Sequence, residues 1–232
     1  MDFLKGETLL IDKPFGWTSF DVVNKIRWNL KQVLKVKKIK VGHAGTLDPL
    51  ATGLLIICTG KNTKQIDTLM GGEKTYTGTI LLGKTTASFD LETTYNEEFP
   101  VEHITEELLE KVRKQFIGTL EQIPPIFSAK QIDGKRAYDL ARAGKPVEMK
   151  ASTVEIKSFT ITTDRFPEID FEITCSKGTY IRSIAHDFGK GLNSGGTLIA
   201  LKRTHSGECT IQEAKSVEAW IELIRSGSDQ NA

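Results

Sequence analysis

The most informative part of this chain is the stretch Gly42-His43-Ala44-Gly45-Thr46-Leu47-Asp48-Pro49-Leu50-Ala51-Thr52-Gly53-Leu54-Leu55. It places one carboxylate, Asp48, in a glycine-rich loop, beside a proline and just before an apolar run. Glycine has no side chain, so the backbone of another molecule can approach such a loop closely. The pattern therefore favours a loop that presents Asp48 to a ligand.

The pattern around Asp48 allows two interpretations. Asp-Pro before an apolar run is also typical of a helix start, with aspartate as the cap and proline at the first helical position. Alternatively, a lone carboxylate can be a covalent nucleophile, which needs no second acid if an arginine supplies the partner charge. The neighbouring sequence has no second carboxylate, no Ser–His pair and no metal-ligand cluster. This argues against a hydrolase, a two-metal nuclease or any other metal site.

Length and composition indicate an ordinary globular protein. A chain of 232 residues, 39% hydrophobic and 26% charged, is long enough to bury a sizeable core. No apolar run approaches the roughly 20 residues that a membrane span needs. The N-terminus carries charges where a signal peptide would need an apolar core. We therefore expect a cytoplasmic protein without a membrane partner.

The cysteines do not form a recognisable site. Cys58, Cys175 and Cys209 are odd in number and widely spaced, with no CxxC pair among them. We therefore predict three buried thiols in a reducing compartment, and neither a disulfide framework nor a zinc site.

Charge is unevenly distributed along the chain, although the net charge is only +1. No acidic residue lies between Asp21 and Asp48, where Lys25, Arg27, Lys31, Lys35, Lys37, Lys38 and Lys40 are found. From Thr85 to Glu110 the reverse holds, with eight carboxylates and no lysine or arginine. Such asymmetry is typical of a basic contact face compensated elsewhere, or of two solvated helix faces. Because the basic run ends at the Asp48 loop, we favour a contact face for nucleic acid.

The apolar pattern predicts an α+β fold with a central mixed or antiparallel sheet flanked by helices, because strands occur in adjacent runs. Thr18 and Asp21 predict a capping box at the first helix. We predict one domain over residues 1–225, with an irregular insertion at about 124–152 and a polar tail at 226–232. Strands are predicted at 8–11, 54–58, 75–82, 154–162, 168–175 and 197–203, and helices at about 18–34, 62–69, 105–116, 181–188 and 217–224.

Further candidate residues each have a functional and a structural interpretation. Arg182, near a predicted helix start, is the candidate charge partner of Asp48, or a surface arginine. Tyr76 shares a strand face with Gly78, which leaves a flat shelf for stacking a base, or it is a core tyrosine. Lys64 and Lys74 contact phosphates, or are simply solvated.

Together these motifs resemble the TruB family of tRNA pseudouridine synthases along nearly the whole chain. The shared features are the Asp48 loop, Lys13-Pro14-x-Gly16-x-Thr18-Ser19, Lys74-Thr75-Tyr76, Leu82-Gly83 with Thr86 and Asp90, Pro124-Pro125 with Ser128-Ala129-Lys130, Gly134-x-Arg136-Ala137-Tyr138-x-Leu140-Ala141-Arg142, Lys177-Gly178-Thr179-Tyr180-Ile181-Arg182-Ser183 and Leu201-x-Arg203-Thr204-x-x-Gly207.

The resemblance implies the pseudouridine synthase fold, with the insertion as a thumb that closes on RNA. It implies isomerisation of uridine 55 in the TΨC loop of tRNA to pseudouridine, without cofactor or metal. In matching positions Asp48 is the catalytic carboxylate, and Arg182 pairs with it and holds it ionised. Tyr76 stacks on the flipped base.

The resemblance also assigns residues that would bind the substrate. Tyr180 and Leu201 would line the pocket, and His43 would fill the gap that the flipped nucleotide leaves in the RNA. Two departures from the family pattern stand out: Ala87 replaces an aspartate that many members have, and the chain stops near Ala232. Many members continue into a PUA RNA-binding domain, so we expect a catalytic domain alone.

Two other functions fit parts of the sequence. A non-catalytic RNA-binding or tRNA-folding chaperone would use the basic face and Tyr76 but would not need both Asp48 and Arg182. A guide-RNA-dependent synthase would need partner proteins and a C-terminal RNA-binding domain. We expect instead a monomer that acts on tRNA without an obligatory protein partner.

Overall fold

The computed structural model describes residues 1–128, 130–132, 135–137 and 149–226. The helices are α1 (Ser19–Leu34), α2 (Ile66–Met70), α3 (Glu106–Lys114), α4 (Ile181–Gly191) and α5 (Val217–Ser226), with short 3-10 helices at Gly60–Gln65 and Ile211–Glu213. The strands are β1 (Thr8–Lys13), β2 (Val41–Ala44), β3 (Thr52–Thr59), β4 (Lys74–Leu82), β5 (Lys84–Thr86), β6 (Tyr95–Glu98), β7 (Gly118–Gln122), β8 (Gln131–Ile132), β9 (Lys135–Arg136), β10 (Ser152–Arg165), β11 (Glu168–Cys175), β12 (Gly196–Ser206), β13 (Cys209–Thr210) and β14 (Lys215–Ser216).

The chain forms two compact units, and strands β4 and β12 run through the boundary between them. The first unit comprises Met1–Tyr76 and the described part of Leu201–Ala232, and the second comprises Thr77–Ala200. The predicted single domain over 1–225 stays a prediction. Much of the predicted insertion lies outside the described residues.

The first unit is built around strand β3. Its residues 53–59 are all buried, as the continuous apolar run predicts. β1 and β2 both pair antiparallel with β3, whereas β12 pairs with β3 in parallel and β14 with β1 in parallel. The sheet is therefore mixed, which confirms the α+β prediction.

Helix α1 begins where the sequence predicts. The Thr18 hydroxyl accepts from the Asp21 N–H, and the Asp21 carboxylate accepts from the Thr18 N–H, which completes the capping box. Val22, Ile26 and Leu30 form its fully buried stripe. The opposite face is solvent-exposed. Helix α5 packs against α1, where Arg225 Nη2 donates to Asn29 Oδ1 at 3.0 Å.

The second unit has strands in the order β12–β4–β11–β10–β7. Helix α3 contacts both strand β10 and helix α4. A cluster of edge-to-face aromatic rings, Phe116, Phe159, Phe171 and Phe188, forms its core. A Cβ at Gly189 would lie 2.3 Å from the Gly196 nitrogen, so only glycine allows α4 to approach the start of β12 this closely. This contact fixes the last turn of α4, and Arg182 lies in the first turn of the same helix.

The structure also contains elements that periodicity did not predict. β2, the β5–β6 hairpin and β7 are short, and β6 is exposed along its whole length. Short exposed strands carry little apolar alternation, so their residues show no periodic signal. As predicted, Cys58 and Cys175 are buried thiols, but Cys209 is only half-buried, because it lies in a short strand near a turn.

Candidate active site

Asp48 lies in the turn that connects β2 to β3, and it is half-buried. The Ala51 N–H donates to the Asp48 carbonyl at 3.1 Å, which closes the turn, and β3 begins at Thr52. The helix-start interpretation of Asp48-Pro49 is therefore wrong, because the following apolar run is a buried strand. Asp48 itself is not fully buried.

The residues on both sides of Asp48 are fixed by hydrogen bonds. The Leu47 N–H donates to the Ser19 hydroxyl at 2.8 Å, and that hydroxyl donates back to the Leu47 carbonyl at 3.1 Å. The Pro49 carbonyl accepts from the Gly16 N–H at 2.9 Å. The turn that presents the carboxylate is thus tied to the start of α1.

Lys13 is a buried cation beneath the same turn. Its ammonium donates to the carbonyls of Pro14, Trp17 and Pro49, the last at 3.3 Å. Burial lowers the pKa of the Lys13 ammonium to about 8, although the nearby Asp48 carboxylate acts in the opposite direction. Lys13 therefore links the Asp48 turn to the turn that precedes α1.

Arg203 is a second buried cation at this loop. Its guanidinium donates to the Leu54 carbonyl at 2.8 Å, the Gly45 carbonyl at 3.1 Å and the Thr46 carbonyl at 3.5 Å. These carbonyls lie before and after Asp48, so one side chain holds both ends of the loop. Gly53 lies against the same residue: its Cβ would fall 2.3 Å from the Arg203 carbonyl oxygen.

Three other predicted site residues of the first unit, His43, Tyr76 and Leu201, lie on strands. His43 is on β2, half-buried, and its pKa is lowered by burial and by the positive charge of Arg203, which favours a neutral imidazole. Tyr76 is on β4 and mostly buried. Leu201, on β12, is half-buried, and its carbonyl accepts from the Thr52 hydroxyl at 3.4 Å.

Of the two predicted phosphate contacts, the structure favours only Lys64. Lys74 is buried, and its ammonium donates to the Met70 carbonyl at 2.6 Å and to the Gly72 carbonyl. Both its phosphate contact and its solvated alternative are therefore corrected: Lys74 holds the turn before β4. Lys64 lines an open groove with three further lysines, Lys38, Lys40 and Lys61.

In the second unit Arg182 is buried at the start of α4, so the surface-arginine alternative is wrong. Its Nη1 donates to the Ser88 carbonyl at 3.2 Å, and its Nε lies 3.7 Å from the buried Asp90 carboxylate. Tyr180 immediately precedes α4 and is half-buried, and its N–H donates to Gln122 Oε1 at 2.7 Å.

Three residues of this arrangement were not predicted as site residues: Lys13, Asp90 and Arg203. Each belongs to a motif of the family resemblance, and that was the only signal in the sequence. Only the structure shows that all three are buried charged side chains. Within the part of the chain that the structure describes, no three His, Cys, Asp or Glu side chains converge in a way that would hold a metal ion. Among the described helices, none combines the length and the hydropathy of a membrane span.

Comparison with known proteins places these residues in one family. The family model described as TruB family pseudouridylate synthase (N terminal domain) matches residues 31–181. The proteins named tRNA pseudouridine synthase B of Parabacteroides distasonis and Flavobacterium johnsoniae are 55% and 52% identical to this chain. The first alignment covers 94% of this chain and 93% of the relative, and the second covers 97% and 98%.

Solved structures show the same fold. A chain in the crystal structure of a Cbf5–Nop10–Gar1 complex superposes with a TM-score of 0.73, at 24% identity over 99% of this chain and 57% of that chain. A chain in an H/ACA RNP bound to a substrate RNA containing 2′-deoxyuridine gives a TM-score of 0.70 at 22% identity, over 99% of this chain and 56% of that chain. The predicted pseudouridine synthase fold is therefore confirmed.

Proposed function

Because this chain belongs to the TruB family of pseudouridylate synthases, we propose that it isomerises uridine 55 in the TΨC loop of tRNA to pseudouridine, with Asp48 as the catalytic carboxylate. Conversion of uridine to pseudouridine in tRNA is the activity for which its relatives are named. The observation that carries the role of Asp48 is its half-buried position on a loop held by Ser19, Lys13 and Arg203.

The reaction breaks and forms one glycosidic bond. The bond from C1′ to N1 of uracil breaks, the base turns within the site, and a new bond joins C1′ to C5. The C5 proton leaves and N1 becomes protonated, so no atom is gained and no electron is transferred to a second molecule. Asp48 has three chemically possible roles in this sequence: attack at C1′, attack at C6 of the base, or removal of the 2′ proton.

An ionised Asp48 serves each of these roles better than a protonated one, and Arg182 is the proposed counter-charge. An arginine guanidinium is a planar cation with several donors in a fixed geometry. The Ser88 carbonyl and the Asp90 carboxylate orient its guanidinium, which supports a fixed position for the cation. A fixed charge stabilises a developing charge without the cost of rearranging solvent.

The remaining predicted residues handle the base. The target nucleotide must leave its stack before a half-buried carboxylate can reach C1′, which costs a few kcal/mol. We assign Tyr76 to stacking on the flipped base, and Tyr180 and Leu201 to the walls around it. His43, whose lowered pKa favours a neutral ring, replaces the flipped base in the RNA stack.

Basic side chains provide the contact with the RNA backbone. Lys38, Lys40, Lys61 and Lys64 line one open groove, together with Leu4, Ile39, Gly60 and Thr63. Phosphate binding by lysines releases condensed counterions from the RNA, so affinity from such a groove depends strongly on salt.

The proposal is tested by Asp48→Asn in the purified chain, with unmodified tRNA transcript labelled with tritium at C5 of uridine. We expect tRNA binding to stay within about threefold of wild type, whereas tritium release falls by at least about 10³-fold, as for loss of a nucleophile. Asp67→Asn, on α2, changes charge equally and serves as the control. Turnover near wild type in Asp48→Asn would exclude Asp48 as the catalytic group.

Mapping of the product separates the remaining alternatives. Pseudouridine at position 55, formed by the purified chain alone, supports the proposed specificity and a synthase that works without protein partners. Binding without conversion by the wild-type chain would instead support the non-catalytic chaperone. Size-exclusion chromatography with light scattering in the same buffer tests the proposed monomer.

A further inference from the structure

Phe89 has a backbone conformation that bulky residues rarely adopt. Its φ is +66°, in the left-handed region, which is mainly used by glycine and short polar residues. Strained residues of this kind persist where the surrounding structure holds them, and they cluster at functional sites. Phe89 lies between the buried Ser88 and the buried Asp90, and both of these residues contact Arg182. The strain is therefore located directly beside the candidate counter-charge.

The backbone of Phe89 sets the direction of a carbonyl that contacts Arg182. The Ser88 carbonyl and the Phe89 N–H belong to one planar peptide group, and rotation about the φ of Phe89 turns that plane. In the observed conformation the Ser88 carbonyl accepts from Arg182 Nη1 at 3.2 Å. A return of φ to an ordinary helical value would turn the peptide plane by about 130° relative to Asp90. The contact with Arg182 therefore depends on the left-handed conformation of Phe89.

The side chain of His186 covers the Phe89 ring. The two rings are stacked, with their centroids 4.0 Å apart and 14° between their planes. His186 follows Arg182 by four residues on helix α4, so the two side chains project from the same side of the helix. Both therefore contact one segment, residues 88–90: the guanidinium contacts its first and last residues, and the imidazole contacts its middle residue.

The environment of His186 favours a flat, neutral ring. Burial lowers the pKa of the His186 imidazole, which favours its uncharged form. Its buried Nδ1 has no hydrogen-bond partner among the residues that the structure describes. Stacked rings attract each other through contact area and ring electrostatics, without a donor or an acceptor. A phenyl ring can therefore replace the imidazole without loss of a charge or of a hydrogen bond at this nitrogen.

We propose that His186 is a positioning residue for the isomerisation: by stacking on Phe89 it holds segment 88–90 in the conformation that orients Arg182. The inference rests on the proposed function, in which Arg182 is the counter-charge of the catalytic carboxylate. A small displacement of a group that acts on the reacting centre slows the chemical step more than it weakens substrate binding. His186 therefore acts on kcat through Phe89 and Arg182.

The test measures kcat and KM of the purified chain with unmodified tRNA transcript, by tritium release from C5 of uridine. We expect His186→Ala to lower kcat about tenfold, while KM stays within about twofold of wild type. His186→Phe keeps a flat ring on Phe89, so its kcat should be within about threefold of wild type. Phe89→Ala removes the other ring of the stack and should lower kcat as much as His186→Ala. Because both substitutions remove one interaction, the double variant should be no slower than either single variant.

The control variant is Phe116→Ala, which removes a half-buried ring from its contacts with Phe159 and Phe188 in the same unit. Its kcat should stay within about twofold of wild type, because a general loss of packing does not reorient Arg182. Thermal unfolding shows which variants are folded, and each is assayed well below its Tm. If His186→Ala does not fold, Phe89→Ala and His186→Phe carry the test.

Four results would overturn the inference while wild-type conversion stays intact. These are a wild-type kcat in folded His186→Ala or Phe89→Ala, a kcat of His186→Phe as low as about a tenth of wild type, additive losses in the double variant, and an equal loss in Phe116→Ala. A wild-type chain that converts no uridine would instead overturn the proposed function, and this inference with it.

Discussion

The Lys13 ammonium donates to the Pro49 carbonyl at 3.3 Å, so a fully buried cation holds the residue next to the candidate catalytic carboxylate. The two residues are 36 positions apart in the chain. The contact joins the turn after β1 to the turn before β3, and it places a positive charge under Asp48.

The burial of Lys13 has a measurable effect on stability. Its pKa falls from 10.5 to about 8 on folding, so the unfolded chain binds the extra proton between about pH 8 and 10.5. The free energy of unfolding due to Lys13 therefore rises with pH in this window, by up to about 1.4 kcal/mol per pH unit. Urea unfolding of wild type and Lys13→Met from pH 7.5 to 10 isolates this contribution. A difference between the two proteins that does not change with pH would contradict the prediction.

Arg203 is expected to control the catalytic rate rather than affinity. Arg203→Met leaves the buried Leu54 carbonyl without its donor, at a cost of about 1–3 kcal/mol, and also releases the Gly45 and Thr46 carbonyls on the other side of Asp48. We predict that kcat falls about 10- to 100-fold, while KM for tRNA stays within about threefold. Arg203→Lys keeps the charge but lacks the forked donors, so it should recover only part of the rate.

The neighbouring variant Lys202→Met is the control for Arg203, because this side chain is 46% exposed and on the same strand. Thermal unfolding establishes that each variant is folded. A folded Arg203→Met protein with wild-type kcat would show that the guanidinium does not position the loop.

Gly53 allows a close backbone approach that no other residue allows. It has a φ of +98°, and an added Cβ would meet the Arg203 carbonyl oxygen at 2.3 Å and its nitrogen at 2.8 Å. Gly16 also has a positive φ, +80°, but nothing lies within 4 Å of its added Cβ. We predict that Gly16→Ala costs about 1–2 kcal/mol of conformational strain, and that Gly53→Ala costs several kcal/mol more. Equal midpoints in urea would contradict the close approach.

The basic run before the Asp48 loop is expected to contact phosphates. In one variant the exposed Lys37, Lys38 and Lys40 are replaced with glutamine. The negative slope of log K against log salt should become shallower by about 0.7–0.9 for each phosphate that the variant no longer neutralises. A triple variant of Lys111, Lys114 and Lys190, which are also exposed, has the same change in net charge and should keep the wild-type slope. A wild-type affinity for the first variant at low salt would reject the contact face.

The sequence predicted those helices and strands that carry a cap, an apolar stripe or an apolar run within their own residues. The capping box of Thr18 and Asp21 and the apolar stripe of Val22, Ile26 and Leu30 together specify α1. An unbroken apolar run specified β3. The short strands β2 and β6 were missed because too few of their residues alternate, and Asp48-Pro49 was ambiguous because a turn and a helix start use the same two residues.

The sequence by itself places Asp48 in a glycine-rich loop. It also places Tyr76 near the start of a strand, Arg182 near the start of a helix, and the family motifs around them. How this loop is held depends on the folded chain, because the partners are distant in sequence. Arg203 bonds carbonyls 149 to 158 positions away, and a backbone carbonyl carries no signature in any sequence. For the same reason, Lys13 and Lys74 were not predicted to be buried. The sequence identifies each side chain as a cation, but only the packing of the folded chain determines that backbone carbonyl oxygens surround it.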